Sequence, residues 1–325
     1  MSKYWKYGMA ALLTFSLAAC NTSEESNTKT EEKPVETATK SEVEEAKEIK
    51  LNYLGAEYTF SNPVENIVAA SFEAMEDSVA LGIKPVGVLE VGGKIPEYLN
   101  ELEGATLVGN KRAPSAEAIL ALDPDAIIGT SKWGEDVMTQ MNKLATTLPY
   151  SHISANWKDN LLALAELTNK TAEAEKLIAD YEQKVADTKE EIANSDISEK
   201  SVLMIRVRGG LMYVYPENVY FNPILYQDLG LKVPDVVAKA EAQAEISLET
   251  LSEVDPDSIF LQFEETENAD APKALEELQN NAIFNSLKAS KNGEVYVNTI
   301  APLAEGGTAW SKTRFLDVVE ENLLK

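Results

Sequence analysis

From Thr171 to about Asn194 the apolar side chains return every third or fourth position. Ala174, Leu177, Ile178, Tyr181, Val185 and Ile192 share one face and charged residues fill the other. No Pro or Gly interrupts the run, so the spacing predicts a single helix roughly 35 Å long. Thr171 is its expected N-cap, and Glu173 and Glu175 fall in the first turn, where the helix dipole favours negative charge. On either side the pattern changes to short apolar strands alternating with short helices. Before the long helix come a hairpin over Tyr53 to Phe60, a strand over Pro63 to Ala70, a helix from Glu73 to Leu81 closed by Gly82, and strands at Pro85 to Leu89, Thr106 to Val108 and Asp125 to Gly129. After it come the strand Ser201 to Arg208, a returning strand over Met212 to Tyr215, the strand Glu294 to Val297 and a terminal helix. Alternation of this kind predicts βα units around a mostly parallel sheet.

The two sides repeat one another. Ser115-Ala-Glu-Ala-Ile-Leu-Ala-Leu-Asp-Pro-Asp-Ala-Ile-Ile128 and Ser247-Leu-Glu-Thr-Leu-Ser-Glu-Val-Asp-Pro-Asp-Ser-Ile-Phe260 share S-x-E-x-[I/L]-x-x-[L/V]-D-P-D-x-I. Ala80-Leu-Gly-Ile-Lys-Pro85 is likewise echoed by Asp228-Leu-Gly-Leu-Lys-Val-Pro234. Two matches in the same order predict two copies of one α/β unit flanking the helix. The expected fold class is therefore α/β: two similar lobes with central sheets, joined by one long helix, with a ligand cleft between them. The divisions are a first lobe at 51–157, a connecting helical segment at 158–198 and a second lobe at 199–325.

The N-terminus changes the picture of where this body sits. Lys3 and Lys6 precede an apolar run from Met9 to Ala19, the h-region length of a signal peptide at 1–19 and too short to span a bilayer comfortably. Leu17-Ala18-Ala19-Cys20 is similar to the bacterial lipobox, and Cys20 is the single cysteine among 325 residues, which excludes a disulfide within the chain. A lipid on Cys20 is expected. Residues 20–50 contain no aromatic residue and almost no large aliphatic one, so they are read as a disordered, lipidated tether.

Composition narrows the chemistry. A formal net charge of −25 argues against nucleic acid as a partner. One histidine, His152, and no cysteine in the body argue against a bare zinc or manganese site, which needs several imidazole, thiolate or carboxylate ligands. Against this acidic background only four of 29 basic residues are arginine: Arg112, Arg206, Arg208 and Arg314. All four lie at or near predicted strand ends and loops, and arginine is the residue that grips anionic oxygens with a planar fork. Strand alternation puts Arg206 and Arg208 on one face, at the carboxyl end where open α/β sheets bind ligands. Aromatic candidates beside them are Tyr215 and Tyr220, with Trp133 past the strand ending at Gly129 and Trp310 in the Gly-rich stretch before the last helix. Trp157 is read as core or hinge. No intrinsic cofactor and no catalytic residue is expected: G-x-S-x-G is absent and the lone histidine has no evident partner, which leaves a surface hydrolase as a distant alternative.

The lipobox, the acidic tether, two lobes and one connecting helix resemble the helical-backbone class of substrate-binding lipoproteins of ABC importers. The order of the D-P-D-x-I-I element, the Arg206-Val-Arg208 strand with Val214-Tyr215 after it, and the run Val297 to Thr308 ending in L-A-x-G-G-T resembles that class's ferric-siderophore branch. The resemblance implies a monomer held by its lipid at the extracellular face of the cell membrane. Its cargo would be a ferric (Fe3+) siderophore chelate, with no protein atom on the metal, delivered to an ABC permease and its ATPase. Hydroxamate or citrate-hydroxamate chelates come first, and ferric citrate or other carboxylate chelates, haem and cobalamin are the alternatives. Haem would favour an axial His or Tyr. In such proteins one Glu on top of each lobe docks on the permease, and Glu76, shortly before Leu81-Gly82, matches the first-lobe position. The second lobe offers no matching Glu beside Phe221 to Tyr226, with Glu217 or Asp228 as substitutes.

Overall fold

In the computed structural model, which describes residues 48–325, the repeated stretches fold into the same unit twice. Ser115 and Ser247 each cap a helix, α2 (Ala116–Leu120) and α7 (Leu248–Val254), by accepting a hydrogen bond from the N–H three residues on, Ala118 in one and Thr250 in the other. The first Asp of each D-P-D, Asp123 and Asp255, turns the chain with φ of 46° and 41°. The second Asp clamps the start of the neighbouring strand: Asp125 accepts from the backbone N–H groups of Glu65 and Asn66, and Asp257 accepts from that of Ser201. A short polar side chain tolerates these left-handed turns and satisfies backbone donors that would otherwise be orphaned at the sheet edge.

Each unit contributes to a five-stranded sheet. The first contains β3 (Ile67–Ala69), β4 (Gly87–Val88), β5 (Thr106–Leu107), β8 (Ala126–Thr130) and β9 (Thr147–Tyr150), in the order β5-β4-β3-β8-β9, all parallel. The second contains β10 (Val202–Arg208), β11 (Leu211–Val214), β12 (Ala244–Ile246), β13 (Ser258–Phe263) and β14 (Val295–Val297), in the order β12-β11-β10-β13-β14. Here β11 is antiparallel to both neighbours, because Gly209-Gly210 closes a tight hairpin where the first lobe uses a helical crossover. The remaining strands form a hairpin, β1 (Glu48–Tyr53) with β2 (Ala56–Ser61), and a short ribbon, β6 (Gly109–Asn110) with β7 (Ala113–Pro114). Thus Glu48 to Lys50, assigned above to the tether, belong to a paired strand. The signal peptide, Cys20 and the rest of the tether lie outside the described residues.

Helices α1 (Phe72–Leu81), α3 (Glu135–Met141), α4 (Trp157–Leu167), α5 (Thr171–Ala193), α6 (Asp235–Ala238), α8 (Ala274–Gln279), α9 (Lys288–Asn292) and α10 (Ala309–Leu323) cover the sheets. The long helix is α5, with one correction at its start. Lys170, not Thr171, is the N-cap residue, and Lys170 pairs with Glu173 in the first turn instead of a side-chain cap. Its buried face is Ala174, Tyr181, Thr188 and Ile192, while Leu177, Ile178 and Val185 are half-buried. Polar contacts bind it to α10: Lys184 pairs with Asp317 and Glu320, and the Thr188 hydroxyl donates to Glu320. Trp157 is core, packed edge-on against Tyr181 at 5.2 Å.

The two lobes meet along α1 and α10. Ser71 caps the start of α1 and Gly82, in the left-handed region at φ 67°, ends it. Almost the whole helix is buried, polar residues included. Glu76 accepts hydrogen bonds from the Tyr98 hydroxyl at 3.0 Å, from the Glu305 N–H at 2.9 Å, from the Thr308 hydroxyl at 2.6 Å and from the Ser311 hydroxyl. The neighbouring Asp77 accepts from Ala309 N–H at the N-terminus of α10, and burial outweighs that bond and pushes its carboxyl well above the usual aspartate value. Glu76 is therefore inside the molecule, 0% exposed, and the expectation that it docks on a partner is wrong. Nearby, Gly307 passes so close to Ser154 of the first lobe that a Cβ would fall 2.6 Å from its hydroxyl.

Removing the Glu76 carboxylate leaves four donors without their acceptor, the Thr308 and Ser311 hydroxyls fully buried and the Tyr98 hydroxyl and Glu305 N–H partly so. Glu76→Ala is expected to lower unfolding stability by about 3 kcal/mol, since each stranded buried polar group costs about 1–3 kcal/mol and the losses are not additive. Urea unfolding checks this, with a lower midpoint and an unchanged slope as the expected result.

Candidate ligand-binding site

At the carboxyl ends of β3, β8 and β10 the lobes enclose a cleft of about 670 Å³. Open α/β sheets bind ligands at this edge because the strands end there and loops supply side chains. Six of the eight ligand-binding residues proposed from sequence line it: Arg112, Trp133, Arg206, Arg208, Tyr215 and Tyr220. Trp310 and Arg314 do not. Thr308 caps α10 by accepting from Ser311 N–H, so Trp310 falls in the helix's first turn and is buried against Tyr98, ring centroids 5.0 Å apart. Arg314, one turn further on, is exposed and lies over the Trp310 ring at 4.1 Å.

The arginines are mounted differently. Arg206 and Arg208 share the face of β10 that alternation predicts, and a single carboxylate, Glu267, stands behind both. Arg206 Nε donates to Glu267 Oε2 at 2.9 Å, and Arg208 Nη2 lies 3.1 Å from Oε1. Arg206 Nη2 is 2.9 Å from Oε2 but off line for a hydrogen bond, and it is left without one. Arg206 is 5% exposed and sits 5.2 Å from the Tyr220 ring centroid. Burial alone would depress its guanidinium, but the Tyr220 phenol and Glu267 outweigh that and hold it above the ordinary arginine value. Arg208 Nη1 and the Tyr215 hydroxyl converge on Gln243 Oε1 at 2.7 and 3.0 Å. Arg112 projects from the β6–β7 ribbon of the opposite lobe and is exposed.

The aromatic wall is set by backbone geometry. Trp133 lies flat on Gly129 of β8, where a Cβ would come within 2.2 Å of the indole, so only glycine there admits this pose. Tyr220 holds φ of 62°, an uncommon conformation for a bulky residue, between Tyr215 and Phe221 at 4.9 and 4.6 Å. The Trp133 Nε1 and Tyr220 hydroxyl are buried without hydrogen-bond partners.

Lysines and carboxylates complete the lining: Lys111, Lys132, Glu73, Glu241 and Glu305. None is among the sequence-based ligand candidates, which single out only the arginines among the charged residues. The available signal was adjacency, Lys111 beside Arg112 and Lys132 beside Trp133. Lys132 bridges the lobes, 3.8 Å from Glu73 and 4.0 Å from Glu305. Burial and the charge of Glu305 push the Glu73 carboxyl up to about 7 against the pull of Lys132. Burial would raise Glu305 too, but Lys132, Lys111, Arg206 and Arg208 hold it below the usual carboxylate value. His152 also lines the cleft, its Nδ1 2.8 Å from the Ser131 hydroxyl, and burial with Lys132 nearby lowers its pKa. Among the described residues no group of three or more His, Cys, Asp or Glu is arranged to hold a metal ion.

Two α/β lobes joined by a long helix, with a ready-made cationic and aromatic cleft between them, define a solute-binding protein. The chain belongs to the periplasmic binding protein family, whose model matches residues 67–299. It is 44% identical over 314 residues to the iron-uptake system-binding protein of Bacillus subtilis (strain 168), covering 96% of each chain. It is 30% identical to the probable siderophore-binding lipoprotein YfiY of the same organism, covering 95% of this chain and 94% of that one. Among solved structures it is similar to the triscatecholate siderophore binding protein FeuA from Bacillus subtilis, complexed with ferri-bacillibactin. The TM-score is 0.81 and the identity 46%, covering 85% of this chain and 98% of that one.

Glu73 and Glu76, both raised to about 7 with burial the leading cause, favour the protonated form in the folded state. Their contribution is fully present below the unfolded carboxylate value and is lost as pH rises through about 7. Glu305, shifted the other way, contributes above that value and loses its share only on the acid side. Melting temperature is therefore expected to fall from pH 5 to pH 8, and Glu73→Gln to melt above the unsubstituted protein at pH 8 but level with it at pH 5. A constant offset at both pH values would refute the assignment to Glu73.

Proposed function

We propose that this protein captures a ferric siderophore of the tris-catecholate type and presents it to an ABC permease for iron uptake. One observation carries the reading. In a chain of net charge −25, the cleft gathers five cations, Lys111, Arg112, Lys132, Arg206 and Arg208, against three carboxylates, one of them Glu73 with its raised pKa. The ligand expected there is an anion with flat aromatic surface for Trp133, Tyr215 and Tyr220. Three catecholates bring six negative charges to Fe3+ and leave a trianion, whereas three hydroxamates leave a neutral complex. The surplus of cations therefore displaces the hydroxamate preference drawn from sequence, and the ligand printed for the 46% identical structure supports that revision. With one imidazole and no thiolate among the lining residues, the iron arrives wrapped in its own oxygen ligands.

The permease would be met by carboxylates that the buried Glu76 cannot supply. The repeat offers a symmetric pair, Glu117 and Glu249, each exposed in the first turn of the same helix in its own lobe. A lipid on Cys20 would hold the protein at the extracellular membrane face, in keeping with the lipoprotein name of the 30% identical relative.

Tryptophan-fluorescence titration against ferri-bacillibactin, a ferric tris-hydroxamate and ferric citrate tests the ligand class. The tris-catecholate is expected to bind tightest and to weaken with added salt. Arg208→Ala should loosen it by about 10- to 150-fold, the value of one charge-assisted hydrogen bond of about 1.5–3 kcal/mol. Equal or tighter binding of the neutral hydroxamate would sink the proposal. Glu117→Lys and Glu249→Lys are expected to leave this titration unchanged while cutting iron uptake by cells; unchanged uptake in both would remove the docking assignment.

A further inference from the structure

Glu267 does not line the cleft, yet three of the site's cations, Arg206, Arg208 and Lys111, lie within 4 Å of its carboxylate. Its oxygens lie 2.9 Å from Arg206, 3.1 Å from Arg208 and 3.7 Å from Lys111, which reaches it from the other lobe. The turn that holds it, Glu265–Asn268, is fastened from both sides. Asn268 is wholly buried, its amide donates to Val207 O and Glu264 O, and its carbonyl oxygen accepts from Gly210 N–H. Gly209 N–H donates to the Glu267 carbonyl. These bonds tie the turn to the β10–β11 hairpin that carries both arginines, so backbone on both sides holds the carboxylate beside the guanidinium groups.

We infer that Glu267 is a resident counter-ion that competes with the incoming anion for Arg206, Arg208 and Lys111, and so sets the affinity and charge selectivity of the cleft. The inference rests on the anionic-ligand reading above. A buried guanidinium without a counter-charge is costly, and Arg206 is 5% exposed, so the empty cleft needs Glu267 to keep that arginine folded inward. Once an anionic chelate arrives, the same cations are shared between ligand and Glu267. Arg206 Nη2, buried 2.9 Å from Glu267 Oε2 without a hydrogen bond, is the one donor of this pairing whose hydrogen-bonding capacity Glu267 leaves unused. The consequence is a brake: each cation stays partly neutralised by the protein, which limits how tightly a trianion is held and leaves it releasable to a permease. A neutral chelate gains little from the cations and is indifferent to the brake.

The test compares the unsubstituted protein, Glu267→Gln and Glu267→Asp for ferri-bacillibactin and for a neutral ferric tris-hydroxamate, alongside melting temperatures with and without ligand. Glu267→Gln is expected to melt lower when empty, to regain most of that loss when ferri-bacillibactin is bound, and to bind it about tenfold more tightly or better at low salt. Its affinity for the hydroxamate should not change, and Glu267→Asp should restore the original selectivity. A purely structural role would lower melting temperature equally with and without ligand, and that result overturns the inference. So does weaker binding of ferri-bacillibactin by folded Glu267→Gln, or equal tightening of both chelates. If the unsubstituted protein ignores ferri-bacillibactin, the ligand class is wrong; the Gln-to-Glu affinity ratio for ferric citrate, another anionic chelate, then judges Glu267 on its own.

Discussion

The cleft exists because two buried carboxylates on one helix receive the start of another. Glu76 and Asp77 of α1 together take hydrogen bonds from the backbone of Glu305 and Ala309 and from the hydroxyls of Thr308 and Ser311. That fixes where α10 begins, and hence where the strand-to-helix turn before it lies. Glu305, in that turn, is delivered to the cleft floor opposite Glu73, one turn before Glu76 on α1. The same contact that joins the lobes thus sets the spacing of the charged groups between them.

Around this joint the molecule distributes charge unevenly. Carboxylates dominate the chain, yet the cleft concentrates cations and supports them with Glu267 and Glu305. Glu305 is held low by four cations and Glu267 is shared between cations of both lobes, whereas burial and Glu305 raise Glu73 to about 7 and weaken its charge. Glu267 and Gln243 hold the two guanidinium planes in place, the preorganisation that the proposed anionic ligand would meet. The long helix α5 is tied to α10 through Lys184 and Thr188.

Much of the architecture was legible in the chain because it depends on local rules. The D-P-D turns, the Ser115 and Ser247 caps, the glycine stop at Gly82 and the apolar face of α5 are chemistry acting over a few residues, and two copies of it announce two lobes. The arginine pair was also legible, since alternation along β10 and the hairpin at Gly209-Gly210 place both side chains at one strand end. What the sequence by itself determined, then, was the fold class, the repeat and the placement on the cleft wall of six of the eight residues proposed for it.

Tertiary structure decided the rest, and the reason is burial of polar groups. Glu73, Glu76 and Asp77 read as the wet face of a surface helix until α10, more than 200 residues away in sequence, covers them. Trp310 and Arg314 read as cleft residues until Thr308 starts the helix that turns Trp310 toward Tyr98 and lays Arg314 over the Trp310 ring. Lys111 and Lys132 carry no local mark beyond their adjacency to Arg112 and Trp133, and Glu267 carries none, because their roles arise only where loops from both sheets converge. A charged side chain carries no mark of whether water or another lobe will face it; only the packing of distant segments supplies that answer.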